Sequence, residues 1–196
     1  MFGKSRRIIV RSVSILALTL GLVTITSCGD DDEADAGFDQ NVLVGEYVLS
    51  SAVTSSSVEI NDQLTIQSGE NVTAQISGAL LNASPCLDLA DPTTIIDIQA
   101  DETFDLTCSS DPSLSVDGGS WSADEEGTAL ILRLIQSDGA GGTINVTVVL
   151  ANLEISDNGI SGTISQLTVP RRFFDGVSDF TDLVRVDLMM TFSAVE

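Results

Sequence analysis

Histidine is missing from all 196 residues, and lysine occurs only at Lys4. A serine or cysteine nucleophile therefore lacks the base that most often activates it, and the Ser-Lys variant lacks its lysine as well. Metals that rely on imidazole lose their commonest ligand. The three cysteines, Cys28, Cys86 and Cys108, do not make up a thiolate site in its place. Positive charge is equally scarce: beyond Arg11 the chain holds only Arg133, Arg171, Arg172 and Arg185 against all 29 carboxylates, a side-chain balance of −25. Such a surface repels phosphate backbones, which excludes nucleic acid as a partner, and it disfavours anionic lipid headgroups. The same charge favours solubility and opposes compaction through self-repulsion. With lysine so rare and Asp well in excess of Glu, it points to a saline habitat. Aromatics are few too, with one tryptophan, Trp121, and one tyrosine, Tyr47.

What is present begins with a basic N-terminus, Lys4, Arg6, Arg7 and Arg11, followed by an apolar run from about residue 12 to 23. That run is too short and too poorly flanked to be a permanent spanning helix. It ends in Ile25-Thr26-Ser27-Cys28, and the whole resembles a bacterial lipoprotein signal. The resemblance implies that residues 1–27 are removed and that Cys28 becomes an acylated first residue. Two or three acyl chains then make membrane attachment stable. Residues 28–40, with Asp30-Asp31-Asp32-Glu33 at their heart, read as an acidic disordered tether. A short acidic stretch behind the cysteine also resembles the surface-export signal of Bacteroidota lipoproteins. The expected address is the outer membrane, on its periplasmic or cell-surface face. A calcium loop is excluded by register: with Asp31 as first ligand, Ala36 falls where glycine is needed and Val42 where the bidentate glutamate is needed.

With Cys28 acylated, Cys86 and Cys108 remain as a pair in an exported protein, and they are expected to form a disulfide. From residue 41 on, short β-rich runs alternate with Gly, Asp, Asn and Ser clusters, the pattern of an all-β meander. The runs predict strands over Val42–Val53, Thr94–Gln99, Thr103–Thr107, Gly119–Ser122, Ala129–Gln136, Thr143–Ile155, Gly159–Thr168 and Leu183–Ala194. Ser156-Asp157-Asn158-Gly159 predicts a tight hairpin. Val72, Ile76 and Leu80 at helical spacing after Asn71 predict one short helix over 72–81.

Gly45-Glu46-Tyr47 on the first strand, Ser84-Pro85-Cys86, Phe104 before Cys108, Gly119-Ser120-Trp121-Ser122 and Leu130-Ile131-Leu132 follow in an order that resembles the lipocalin-like domains of Bacteroidota lipoproteins, over most of 41–196. The resemblance implies an antiparallel up-and-down barrel of about eight strands whose interior holds one small hydrophobic or amphipathic ligand. The first strand of lipocalins carries Gly-x-Trp; here Gly45 matches and Tyr47 replaces the tryptophan. An arginine near the last strand often packs on that ring in the family, and Arg185 is the residue placed to do so.

Candidates for ligand contact are Tyr47 and Trp121 as a platform, against a plain core role, and the one adjacent basic pair, Arg171 and Arg172. For that pair the alternative is that the arginines offset Asp175, Asp179 and Asp182 while Phe173 and Phe174 plug a barrel end. Gly139-Ala140-Gly141-Gly142 joins two β-rich runs and reads as a hairpin loop, not a phosphate cradle. No catalytic residue, metal or cofactor is expected. The leading reading is a membrane-anchored lipoprotein with a ligand-binding barrel. A filled barrel serving as a structural or accessory module, and a carboxylate-dependent hydrolase, are the alternatives.

Overall fold

A computed structural model describes residues 37–86, 89, 92–137 and 143–195. The expected leader, Cys28, the tether as far as Ala36 and the glycine-rich stretch at 138–142 lie outside the described residues. A 3-10 turn at Gln40–Leu43 leads into β1 (Gly45–Thr54), β2 (Val58–Asn61), β3 (Leu64–Ile66), α1 (Thr73–Ala83) and β4 (Thr94–Ile98). The chain continues through β5 (Thr103–Cys108), β6 (Asp111–Ala123), β7 (Ala129–Ser137), β8 (Thr143–Ser156), β9 (Gly159–Pro170), the helical turn α2 (Arg172–Asp175) and β10 (Leu183–Ala194). Strands β4 to β10 pair antiparallel in sequence order, and β1 pairs with both β10 and β4, closing an eight-stranded up-and-down barrel.

Period-two burial drives this arrangement, because each strand must turn its apolar side chains to one shared interior. In β10, Val184, Val186, Leu188, Met190 and Phe192 are buried while Arg185 and Met189 face solvent. Long strands cannot keep one phase around a tight barrel, and bulges reset them. The β1–β10 register shifts between Leu49 and Ser51, so that Leu49 and Ala52 both point inward. Gln166 in β9 and Asn152 in β8 take the left-handed conformation, with φ of 56° and 51°, beside the register shifts of the β9–β10 and β8–β9 ladders. Gly118 and Gly119 are required in β6: a Cβ at Gly118 would lie 2.4 Å from the Phe104 ring, and one at Gly119 would lie 2.0 Å from the Arg133 carbonyl oxygen.

The β6–β7 ladder stops at Gly119 and Leu134, so Asp111–Asp117 pairs only with β5 among the described strands. That edge is blunted in several ways that oppose further pairing. Pro112 has no amide proton, and the register jumps between Thr107 and Cys108, leaving 112–114 bulged. Asp111 and Asp117 bind the backbone N–H groups of Ser113 and Gly119 with their own carboxylates.

Both ends of the barrel are closed by the chain itself. At one end Phe38 packs on the core, its N–H donating to the Glu125 carbonyl and its ring occupying the space a Cβ on Gly127 would need. Phe38 and Asp39, within the stretch expected as tether, thus make contacts with the barrel domain. At the other end the insert between β1 and β4 folds over the opening and buries Ile60, Ile66, Val72 and Ile76. Its stem is held by the buried Thr54 hydroxyl, which donates to the Gln67 carbonyl at 2.6 Å, and by Thr73 Oγ1, which accepts from the Ala52 N–H at 2.8 Å. Helix α1 starts one residue later than expected. Asn71 is not its N-cap in the usual sense, but its side chain accepts from the Thr73 N–H at 3.0 Å.

Cys86 and Cys108 are bonded, with both side chains fully buried, which ties the end of the insert to the end of β5. Closing a loop with a sequence separation of 22 restricts the unfolded chain by about 3 kcal/mol in the chain-entropy account. The Cys86→Ser/Cys108→Ser double variant should lose stability of about that size in urea unfolding. A midpoint equal to the parent's would show that the bond contributes nothing. On the outer face Asp105 sits directly opposite Asp97 on one side and Asp117 on the other, and like charges so placed repel. Asp105→Lys should raise stability by about 0.5–1 kcal/mol, read in the same unfolding assay.

Candidate functional site

The four residues singled out for ligand contact fall at two opposite ends of the barrel. Tyr47 pairs with Ala194 near the 3-10 turn, whereas Arg171 and Arg172 follow the far end of β9, where Pro170 pairs with Leu183. Tyr47 is buried at 6 % exposure, and its hydroxyl donates to the Leu43 carbonyl at 3.1 Å. Burial pushes the phenol above its ordinary pKa. Trp121 is 2 % exposed, and its indole N–H donates to the Gln99 carbonyl at 2.8 Å. Both rings are core elements that pin local backbone, and the edge of Tyr47 also contributes to the wall of a surface depression beside the 3-10 turn.

Arg185 corrects the expectation drawn from the resemblance. It lies on the outward face of β10 opposite Thr168, nine positions along the strand from Tyr47's partner Ala194, and does not pack on the Tyr47 ring. The reason is phase: the buried positions of β10 are its even-numbered residues, and an odd one cannot reach the interior.

Arg171 and Arg172 belong to a self-packed cluster. Arg172 stacks over the Phe180 ring, with 4.2 Å from its guanidinium carbon to the centroid, and Phe173 meets Phe180 edge-on at 5.8 Å. A Cβ on Gly78 of α1 would lie 3.3 Å from Phe173, so the glycine allows that ring to close against the helix. Phe173 and Phe174 pack on the core at the insert end, as the plugging alternative expects. The arginines do not act there as counter-ions to Asp175. That carboxylate is held down to a pKa of about 2 first by the Ser178 hydroxyl, then by backbone N–H groups and the Asn61 amide. Asp187 is likewise lowered by the Gln166 N–H first and then by the Ser56 hydroxyl. Hydroxyl and amide donors, not cations, stabilise these charges.

Among the described residues the barrel interior is lined by the protein's own apolar side chains. Side chains from all eight barrel strands and from the insert form one buried cluster, including Leu49, Phe104, Trp121, Leu130, Ile164 and Leu188. The two best-formed depressions among the described residues are both on the surface. One of about 460 Å³ lies beside the 3-10 turn, lined by Val42, Val44, Glu46, Ile155, Asp157 and Val195 among others. One of about 590 Å³ lies between the β2–β3 turn and Arg171. At that second place the Arg171 Nε is buried without a hydrogen-bond partner.

The acidic residues do not assemble into a reaction centre. Asp97, Asp105 and Asp117 converge, but they stand on the outward face of three paired strands and not in a cleft. No group of three or more potential metal ligands occurs among the described residues. Compared with known proteins, the chain matches no family model, no curated protein and no solved structure.

Sequence reasoning missed the β2–β3 hairpin, which Asn61 and Ser56 tie to Asp175 and Asp187. Both carboxyls have folded pKa values below the ordinary 3.8, so the stability they contribute is present above that value and is lost as pH falls below it, through about 2 in the case of Asp175. Acidification from pH 5 to about 2 should therefore raise amide exchange in 58–66 before it does so in β8 to β10. Uniform loss of protection across all strands would contradict this.

Proposed function

We propose that the chain is a lipid-anchored lipoprotein of the cell envelope, attached through Cys28, whose lipocalin-like barrel works as a filled, rigid interaction or structural module and not as a ligand carrier. One observation supports the choice between the two: among the described residues, side chains from all eight barrel strands and from the insert form a single buried cluster inside the barrel. Carrier sites are preformed concavities that bury most of their ligand, whereas the two described depressions lie on the outer surface and open to solvent. The buried Cys86–Cys108 bond supports an oxidising compartment outside the cytosol. The N-terminal pattern ending at Cys28 supports the anchor. No reaction is assigned, since the acidic chain without histidine brings no nucleophile, base and cleft together.

Native mass spectrometry of the protein purified from its own host tests the filled-module reading. The expected mass is that of the acylated polypeptide alone, and a retained apolar molecule would overturn the reading in favour of carriage. The Cys28→Ala variant should show no acyl labelling; persistent labelling would remove the anchor assignment.

A further inference from the structure

We infer that the barrel end built from the 3-10 turn, the β8–β9 turn and the last residues of β10 is a docking surface for a neutral lipid headgroup layer, so that the anchored domain stands on the bilayer by this end. The inference rests on the lipoprotein reading above. Four large apolar side chains exposed at 37–48 %, Val42, Val44, Ile155 and Val195, line the same depression there. The other exposed apolar residues are spread over β6, β8, β10 and the connection before β10. This is also the end at which the chain arrives from Cys28. Nine residues, Gly29 to Gly37, separate the anchor from Phe38. Fully extended they span about 30 Å, and as a flexible chain about 15–18 Å.

So short a tether holds this end near the bilayer at an effective concentration of order mM, where a patch too weak to retain a free domain is sufficient. Charge selects the kind of surface. Glu46 and Asp157 line the depression, and Asp101, Glu102, Glu125 and Glu126 occupy neighbouring turns at the same end. Anionic headgroups are repelled by such a rim, whereas a zwitterionic layer of phosphatidylethanolamine accepts the valine and isoleucine side chains without that penalty. A basic protein is the competing occupant. The lipid is favoured because the tether keeps this end within about 30 Å of it.

The test uses the lipidated full chain in phosphatidylethanolamine–phosphatidylcholine vesicles containing a spin-labelled lipid. An environment-sensitive fluorophore is attached either through Val195→Cys at the docking end or through Val177→Cys at the far end, where the native side chain is 85 % exposed. The label at 195 should be quenched at least about twofold more than the label at 177. The difference should shrink when Val42→Ser, Val44→Ser and Ile155→Ser are combined in a protein whose melting profile matches the parent, and when anionic lipid is added. Equal quenching of the two labels on vesicle-bound protein overturns the inference while leaving the anchor intact. Failure of the protein to float with vesicles at all overturns the lipoprotein reading and this inference with it. Shielding of position 195 in native envelopes but not in vesicles assigns the patch to a protein and overturns the lipid assignment.

Discussion

Pairing of β1 with β10 on one side and β4 on the other is the constraint on which the rest of the structure depends. Without it the eight strands form an open sheet with two free edges and no enclosed core. Closure forces each long strand to bend and to keep its apolar face inward. The left-handed Asn152 and Gln166, the shift after Leu49 and the glycine pair in β6 are the local adjustments that allow this. Non-glycine residues at positive φ are locally unfavourable. They persist because the side chain at each bulge is fastened: Asn152 donates to Thr163 Oγ1, and Gln166 is held through both its backbone and side-chain N–H groups by Asp187.

Where one face of a strand is buried and the other wet, the sequence already announces the strand, which is why β10 was legible at both ends and β4, β5, β7, β8 and β9 to within two residues. The barrel class came from the resemblance to lipocalin-like domains, and the Cys86–Cys108 pair from its being the two cysteines left beside Cys28. What escaped were elements whose local chemistry is weak. The β2–β3 turn at Asp62-Gln63 carries none of the Asn-Gly or Gly-x signals of a tight hairpin, and its strands of four and three residues are too short for alternation to register. Strand β6 was expected only over Gly119–Ser122 because 111–117 is exposed on both faces and so shows no apolar period. The first strand was extended back to Val42 because 3-10 residues there are apolar and β-branched. Of the candidate ligand residues, identity was visible in sequence but orientation was not: nothing in one chain's spelling says that Trp121 points at the Gln99 carbonyl, or that Arg185 falls on the outward phase.

The charge of the molecule is handled by the same economy of local contacts. With so few cations available, the aspartates at 101, 124, 175 and 187 are all lowered by hydroxyl and backbone donors, and no arginine is among the causes. Short polar loops rich in Ser, Thr and Asp therefore do two tasks at once. They turn the chain, and they solvate their own carboxylates in geometries that fix the turn. Long-range repulsion among the remaining acids is left to be screened by salt, which acts over about 8–10 Å at physiological ionic strength.

In the proposed filled-module reading, recognition falls to the outer surface of the closed barrel. Its wall is unfavourable for that purpose: β10 alternates regularly, β4 to β6 carry a row of opposed aspartates, and the exposed edge of β6 is bulged and capped. The ends differ from the wall because turns and termini meet there, and they collect the apolar side chains that alternation cannot bury. One end is shut by the insert and the Phe173–Phe180 cluster, locked by a buried disulfide. The other is where the tether enters and where Val42, Val44, Ile155 and Val195 remain uncovered. Under the proposed anchor at Cys28, that asymmetry would give the barrel an orientation, with the end that leaves apolar surface unburied toward the membrane and the cross-linked end away from it.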